Sequence, residues 1–284
     1  MPRTPVATRF YPGSVPEQIR EFLANYQPPA HPSQPVAGIV PHAGWTYSGA
    51  VAAKVFACLQ AVEPETFVIF GAVHSWGIGA GGVYDKGSWR TSAGDVEVDD
   101  ELAARLIASC RSLHPDAEAH ENEHSIEVQL PMIKFLFPNS KIVPISAPPV
   151  PDMVDIGSCV GAALAKESRR CAVIGSTDLT HYGRNYGFAP WGEGADAYNR
   201  MRENDRRIIN LALSLDADAI IAESQKNFNA CGGGALAAAV AAAKAMGAQT
   251  GALVQYTTSH DVSGERADEF DFAVGYAGIL LGRD

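Results

Sequence analysis

The chain has 284 residues, 46% hydrophobic and 19% charged, which is enough to bury a sizeable core and ordinary for a globular protein. Its formal net charge is -10, and Arg202, Arg206 and Arg207 alternate with Glu203 and Asp205. With no basic cluster, nucleic acid is excluded as a partner. The most apolar long run, residues 230–248, is alanine and glycine with Lys244 inside it, too weakly hydrophobic for a membrane span. Five cysteines, odd in number and without C-x-x-C spacing, point to free thiols in a reducing cytoplasm rather than a disulfide framework. The opening M-P-R-T-P-V-A-T-R-F carries no secretory signal, so the expected location is cytoplasmic.

Along the chain, Ser14 and Glu17 predict a capping box and a helix to about Tyr26, followed by a stiff connection through Pro28, Pro29, Pro32 and Pro35. A β-branched run over 36–40 predicts a strand that ends at His42, with Ser48 capping a helix over 49–60. The next strand, 66–73, ends at His74 and opens into a glycine-rich loop without the G-x-G-x-x-G order of a dinucleotide site. Asp99 and Asp100 start a helix to about Ser112. Residues 128–137 show helical spacing broken by Pro131, tolerable in a first turn or at a kink. Strands over 141–146 and 171–176 enclose a helix over 152–166, and the second of them runs out into Asp178 and His181. Helices over 194–213 and 217–224 follow, then an alanine-rich helix opened by Cys231, then strands over 252–258 and 270–281. The alternation predicts one domain over 1–284, of class α/β, built as a three-layer α/β/α sandwich around a mixed, largely parallel sheet.

Three apolar strands that each end in a histidine imply one shared site, because open α/β sheets keep their chemistry at the C-terminal ends of their strands. His42, His74 and Cys231 offer imidazole and thiolate, good ligands for late first-row metals, and each stands beside a glycine-containing turn. Asp178 and His181 follow a strand at a spacing that lets the carboxylate orient the imidazole for proton transfer; the bland alternative is that Asp178 caps a turn and His181 satisfies a backbone carbonyl. Glu127 is a carboxylate that would reach the site if the segment from His124 is helical; the bland alternative is a solvated helix start. Neither a G-x-S-x-G elbow nor a P-loop is present.

Six stretches together resemble the Memo family over about residues 8–281: T-R-F-Y-P-G-S (8–14), P-H-A-G-W-T-Y-S-G (41–49), G-A-V-H-S (71–75), E-H-S-I-E-V-Q-L-P (123–131), S-T-D-L-T-H-Y-G (176–183) and A-C-G-G-G (230–234). The resemblance implies a fold similar to the class III extradiol dioxygenases, non-haem iron enzymes that open catechol rings. It also implies His42, His74 and Cys231 as the metal ligands, with a thiolate in place of the dioxygenases' carboxylate. His181 stands where those enzymes keep their acid/base histidine, with Asp178 close by, and Phe10 and Tyr47 match aromatic positions of the cleft. Iron or copper binding with redox activity is attributed to the family. Animal members bind a phosphotyrosine peptide in this cleft, and prokaryotic relatives often accompany a radical-SAM protein, which the resemblance names as a partner.

The leading expectation is a non-haem metal protein, Fe(II) first and copper second, acting as a dioxygenase-like oxidoreductase on an undefined substrate. The second is a binding module that takes a peptide or small molecule in the same cleft, with Tyr47, Phe10 and Trp76 as walls. The third is a zinc hydrolase with Glu127 as base.

Overall fold

The computed structural model describes residues 2–11 and 13–284. Its strands are β1 (Gln34–Val40), β2 (Thr66–Gly71), β3 (Gly82–Val83), β4 (Ser88–Trp89), β5 (Val96–Glu97), β6 (His114–Pro115), β7 (Lys141–Ser146), β8 (Cys171–Ser176), β9 (His181–Tyr182), β10 (Thr250–Thr258) and β11 (Ala273–Arg283). Its helices are α1 (Val15–Phe22), α2 (Trp45–Leu59), α3 (Asp100–Ser109), α4 (Leu130–Leu136), α5 (Asp152–Leu164), α6 (Ala195–Leu213), α7 (Ala217–Asn227), α8 (Gly233–Ala245) and α9 (Ser259–Ser263).

The main sheet runs in the order β10-β11-β1-β8-β2-β7-β3-β6, with β9 pairing β11 off that path. At its centre β1, β8, β2 and β7 are parallel, while β10, β11 and β1 pair antiparallel along one flank. Strand β2, T-F-V-I-F-G, is buried at every position, the mark of a strand covered on both faces. Alternation along it supplies two cores. Val68 and Phe70 face α3, α5, α6, α7 and α8, while Phe67 and Ile69 face α1, α2 and α4. Helices therefore cover both sides of a mixed, mostly parallel sheet, and the expected α/β/α sandwich stands.

The alanine-rich α8 is buried along nearly its whole length because its neighbours come unusually close. A Cβ added to Gly157 or Gly161 of α5 would meet the carbonyl oxygen of Ala238 or Ala242 at 2.2 and 2.3 Å, so only glycine permits this helix contact. Among the described residues no helix is long and apolar enough to cross a membrane.

Local differences from the sequence reading have physical reasons. Helix α2 starts at Trp45, one turn early, with Gly44 as N-cap; Ser48 lies inside the helix and its hydroxyl donates to the Ala43 carbonyl. Helix α1 ends at Phe22, and Ser14 makes no side-chain cap. Pro131 falls in the first turn of α4, after a 3-10 turn at Glu127–Gln129, so no kink is needed. The expectation that all cysteines are free thiols is overturned for two of them. Cys110 and Cys159 form a disulfide between the end of α3 and the middle of α5, with Cα atoms 5.8 Å apart. They are 49 residues apart in sequence, so cysteine spacing alone could not reveal the contact. Cys58, Cys171 and Cys231 are free.

Candidate metal centre

Because β8 lies between β1 and β2, the segments that leave these three strands meet at one edge of the sheet. His42 leaves β1 with its backbone N–H, and that of Ala43, donating to Asp178 Oδ1 at 2.8 and 3.2 Å. Its ring Nδ1 lies 3.0 Å from Ser176 Oγ, and the Ser176 hydroxyl donates to the Ser125 carbonyl. With its proton so committed, Ser176 accepts from His42 Nδ1–H, which leaves Nε2 as the lone-pair atom. That atom is 3.3 Å from Cys231 Sγ. His74 leaves β2 with both its backbone N–H and its ring Nδ1 bound to the Glu123 carboxylate, at 3.0 and 3.1 Å, which again frees Nε2.

Cys231 is drawn to the exit of β8 by two contacts. Its N–H donates to the Asp178 carbonyl, and the Gly232 N–H donates to Thr177 Oγ1. A Cβ on Gly232 would come within 2.5 Å of the Ser176 carbonyl oxygen, so glycine is required for this approach. One ligating atom from each of His42, His74 and Cys231 lies within 4.8 Å of the others. His74, Glu123 and His124 form a second such group, and Asp178, His181 and Cys231 a third.

Burial favours the neutral form at His42, Cys231, Asp178 and His181, whereas Glu123 and His74 favour their charged forms. Burial, with His74 beside it, pulls the His42 pKa down to about 3, so its imidazole is neutral at pH 7. Burial, and then the Asp178 charge, push the Cys231 thiol well above its ordinary range. Burial raises the Asp178 carboxyl against the pull of His181 and two backbone N–H groups. The same burial lowers the His181 pKa in spite of Asp178, whose Oδ2 stands 3.9 Å from His181 Nε2. That Nε2 is buried without a hydrogen-bond partner. Burial also works against an ionised Glu123, but hydrogen bonds and charge from His74 and the N–H of Ser125 outweigh it and hold the carboxyl below its usual range. Reciprocally, burial opposes a His74 cation and Glu123 more than offsets this, so the His74 pKa rises.

A cleft of about 360 Å³ opens over the two histidines, lined by Phe10, Tyr47, His124, Tyr186 and Tyr276 together with His42, His74, Asp178 and His181, while Cys231 lies outside its lining. Among the described residues no lysine or arginine lines it. Two residues that the sequence reads as a solvated helix start stand here. His124 stacks between Phe10 and His74, with ring centroids at 4.8 and 4.5 Å, and burial lowers its pKa to about 4. Glu123 is the carboxylate that holds His74. The available signal was the motif E-H-S at 123–125, which reads locally as a helix start.

Glu127, expected to reach the cleft, lies elsewhere. It is fully buried, 2.7 Å from the Arg3 guanidinium, and it accepts from the Tyr11 hydroxyl and the N–H groups of Val6 and Ala7. Arg3 in turn lies 4.0 Å over the Trp89 ring. Glu127 thus anchors the N-terminal segment that carries Phe10. Trp76 is fully exposed and forms no part of the lining.

The family described as Memo-like protein matches residues 3–280. A MEMO1 family protein of Thermococcus onnurineus is 37% identical, covering 97% of each chain. Another, of Pyrococcus furiosus, is 36% identical over 98% of both chains, and one of Methanopyrus kandleri is 35% identical over the full length of both. Likeness sustained from end to end means that this chain belongs to the Memo family.

Proposed function

We propose that the chain is a metal-dependent oxidoreductase that holds one Fe(II) ion through Nε2 of His42, Nε2 of His74 and Sγ of Cys231. The observation that carries this reading is how the two rings are held: His42 and His74 each commit Nδ1 to a buried partner, Ser176 Oγ and Glu123, and His42 Nε2 lies 3.3 Å from the Cys231 sulfur. The group also fits a metal chemically, because a divalent cation would offset the burial that now disfavours the thiolate. Copper and zinc suit the same donors, so geometry and supply rather than affinity order select the ion. Bound Fe(II) would supply one-electron redox chemistry and open coordination positions for a substrate oxygen.

The remaining work falls to residues of the chain. His181, with Nε2 unpartnered and its pKa lowered by burial, accepts a proton from substrate near neutral pH. Asp178 orients the site by taking the N–H groups of His42 and Ala43, and its charge steadies a protonated His181. Phe10, Tyr47 and Tyr276 shape an aromatic-walled cleft that displaces water around the reacting group.

A second reading, a binding cleft without turnover, draws on Tyr47 and Phe272, exposed to 45% and 44% at its mouth. A cleft without lysine or arginine suits a neutral ligand better than a phosphorylated peptide. The zinc hydrolase reading loses its base, since Glu127 is spent on Arg3 and the N-terminal segment.

The test is an anaerobic Fe(II) titration of metal-free protein, wild type beside Cys231→Ser, with copper and zinc as competitors. Tight one-to-one binding that collapses in the variant is expected, followed by substrate-dependent oxygen uptake. Binding indifferent to Cys231 would refute the metal centre.

A further inference from the structure

Cys231 forms part of the wall of a second cleft, of about 380 Å³, a size at the lower end for small-molecule sites. His181 and Tyr186 line both clefts, whereas His42, His74 and Asp178 line only the first. The other walls of the second cleft are mainly apolar, with Leu179, Phe188, Phe228 and Ala230 prominent and, among the described residues, no aspartate, glutamate, lysine or arginine.

Phe228 is the informative residue. It caps the C-terminus of α7 in the left-handed conformation, with φ 51° and ψ 37°, a position that favours glycine or asparagine. It is also 63% exposed, resting on Phe188 at a centroid distance of 5.4 Å. A large aromatic side chain thus carries backbone strain and solvent exposure together, and neither the helix cap nor the core explains it. Asn25, Glu63 and Leu215 share the left-handed conformation, but among these four only Phe228 lines this cleft, which motivates a functional role for it.

We propose that the second cleft binds the apolar arm, an aromatic ring or short alkyl chain, of an uncharged small molecule whose polar end reaches His181 and Cys231. Among the described residues the second cleft is lined by no aspartate, glutamate, lysine or arginine, which suits an uncharged arm, and His181 and Tyr186 border both clefts. The inference deepens the metal-centre reading by naming its ligand class, yet it is testable without metal.

The probe is 1-naphthol, titrated calorimetrically into metal-free wild type and Phe228→Gly, with nuclear Overhauser contacts to locate it. Saturable binding is expected, with contacts to the Leu179 and Ala230 methyls, and about tenfold weaker binding in the variant. The variant should melt no lower than wild type, because glycine relieves the left-handed strain, and should keep wild-type Fe(II) affinity. Phe228→Asn, also suited to that conformation, should behave in the same way. Absence of binding, equal affinity in the variants, contacts to Phe10 and Tyr47 instead, or a clear loss of thermal stability would each overturn the proposal. Failure of Cys231→Ser to alter Fe(II) binding would instead count against the metal centre alone.

Discussion

Glu123 decides what His74 can do. Its carboxylate accepts from the N–H groups of His74, His124 and Ser125 and from the His74 ring, so one buried anion sets both the loop after β2 and the free Nε2. Glu123→Gln keeps the shape but turns an amide toward groups that need an acceptor. Fe(II) affinity should fall by roughly 10- to 100-fold, as for other ligand-orienting partners. Titration beside a melting curve checks this; unchanged affinity would mean that packing alone orients His74. The residue was hidden in the sequence because the partnership spans 49 positions, while its local context, two acids around an asparagine, looks like a solvated surface.

At the scale of elements, two helices set the geometry. Helix α8 delivers Cys231, and its depth in the fold depends on the glycines of α5. Gly157→Ala would place a methyl 2.2 Å from the Ala238 carbonyl oxygen. The expected cost is about 1–3 kcal/mol, read as a lowered Tm. Helix α6 ties two site loops together. Asn204 Nδ2 donates to Thr180 Oγ1 and to the Asn227 carbonyl, and Asn229 Nδ2 donates to the Asn204 carbonyl. Its neighbour Asp205 is fully buried, accepts from the Thr180 N–H and the Tyr256 hydroxyl, and has its carboxyl pushed up to about 7, chiefly by burial. An unfolded aspartate titrates near about 4, so the folded state holds the proton across the interval between. The stability contributed by that proton is full below about pH 4 and is lost as pH rises through about 7. Melting temperatures taken from pH 4 to 8 should show this decline in wild type and less of it in Asp205→Asn; parallel curves would exclude the assignment.

For the molecule as a whole, the disulfide between Cys110 and Cys159, 49 positions apart, closes a loop that runs from the end of α3 through β6, α4 and β7 into α5. Restricting the unfolded chain by such a loop is worth about 4 kcal/mol in the chain-entropy description. Dithiothreitol should therefore lower Tm, and Cys110→Ser should reproduce the shift without reductant. An unaltered Tm would show that the two thiols are unpaired in solution. The N-terminal segment is a second long-range tie, since the Arg3–Glu127 pair joins positions 124 apart and brings Phe10 over His124.

Much of the architecture was legible because its causes are local. Strands β7 and β8 fall at the residues their β-branched runs predict, and the alternation of strands and helices implied the layered sandwich. His42, His74 and Cys231 could be singled out as candidate ligands because ligand-type side chains stood at strand and helix ends, where motif and position coincide. Tertiary structure alone decided that β8 lies between β1 and β2, that Glu123 and His124 join the site, that Glu127 leaves it, and that two cysteines pair. Periodicity and turn chemistry act over a few residues and leave a trace in the sequence. Strand order, buried ion pairs and cross-chain hydrogen bonds arise only when distant segments are packed together, and no short stretch of sequence records them.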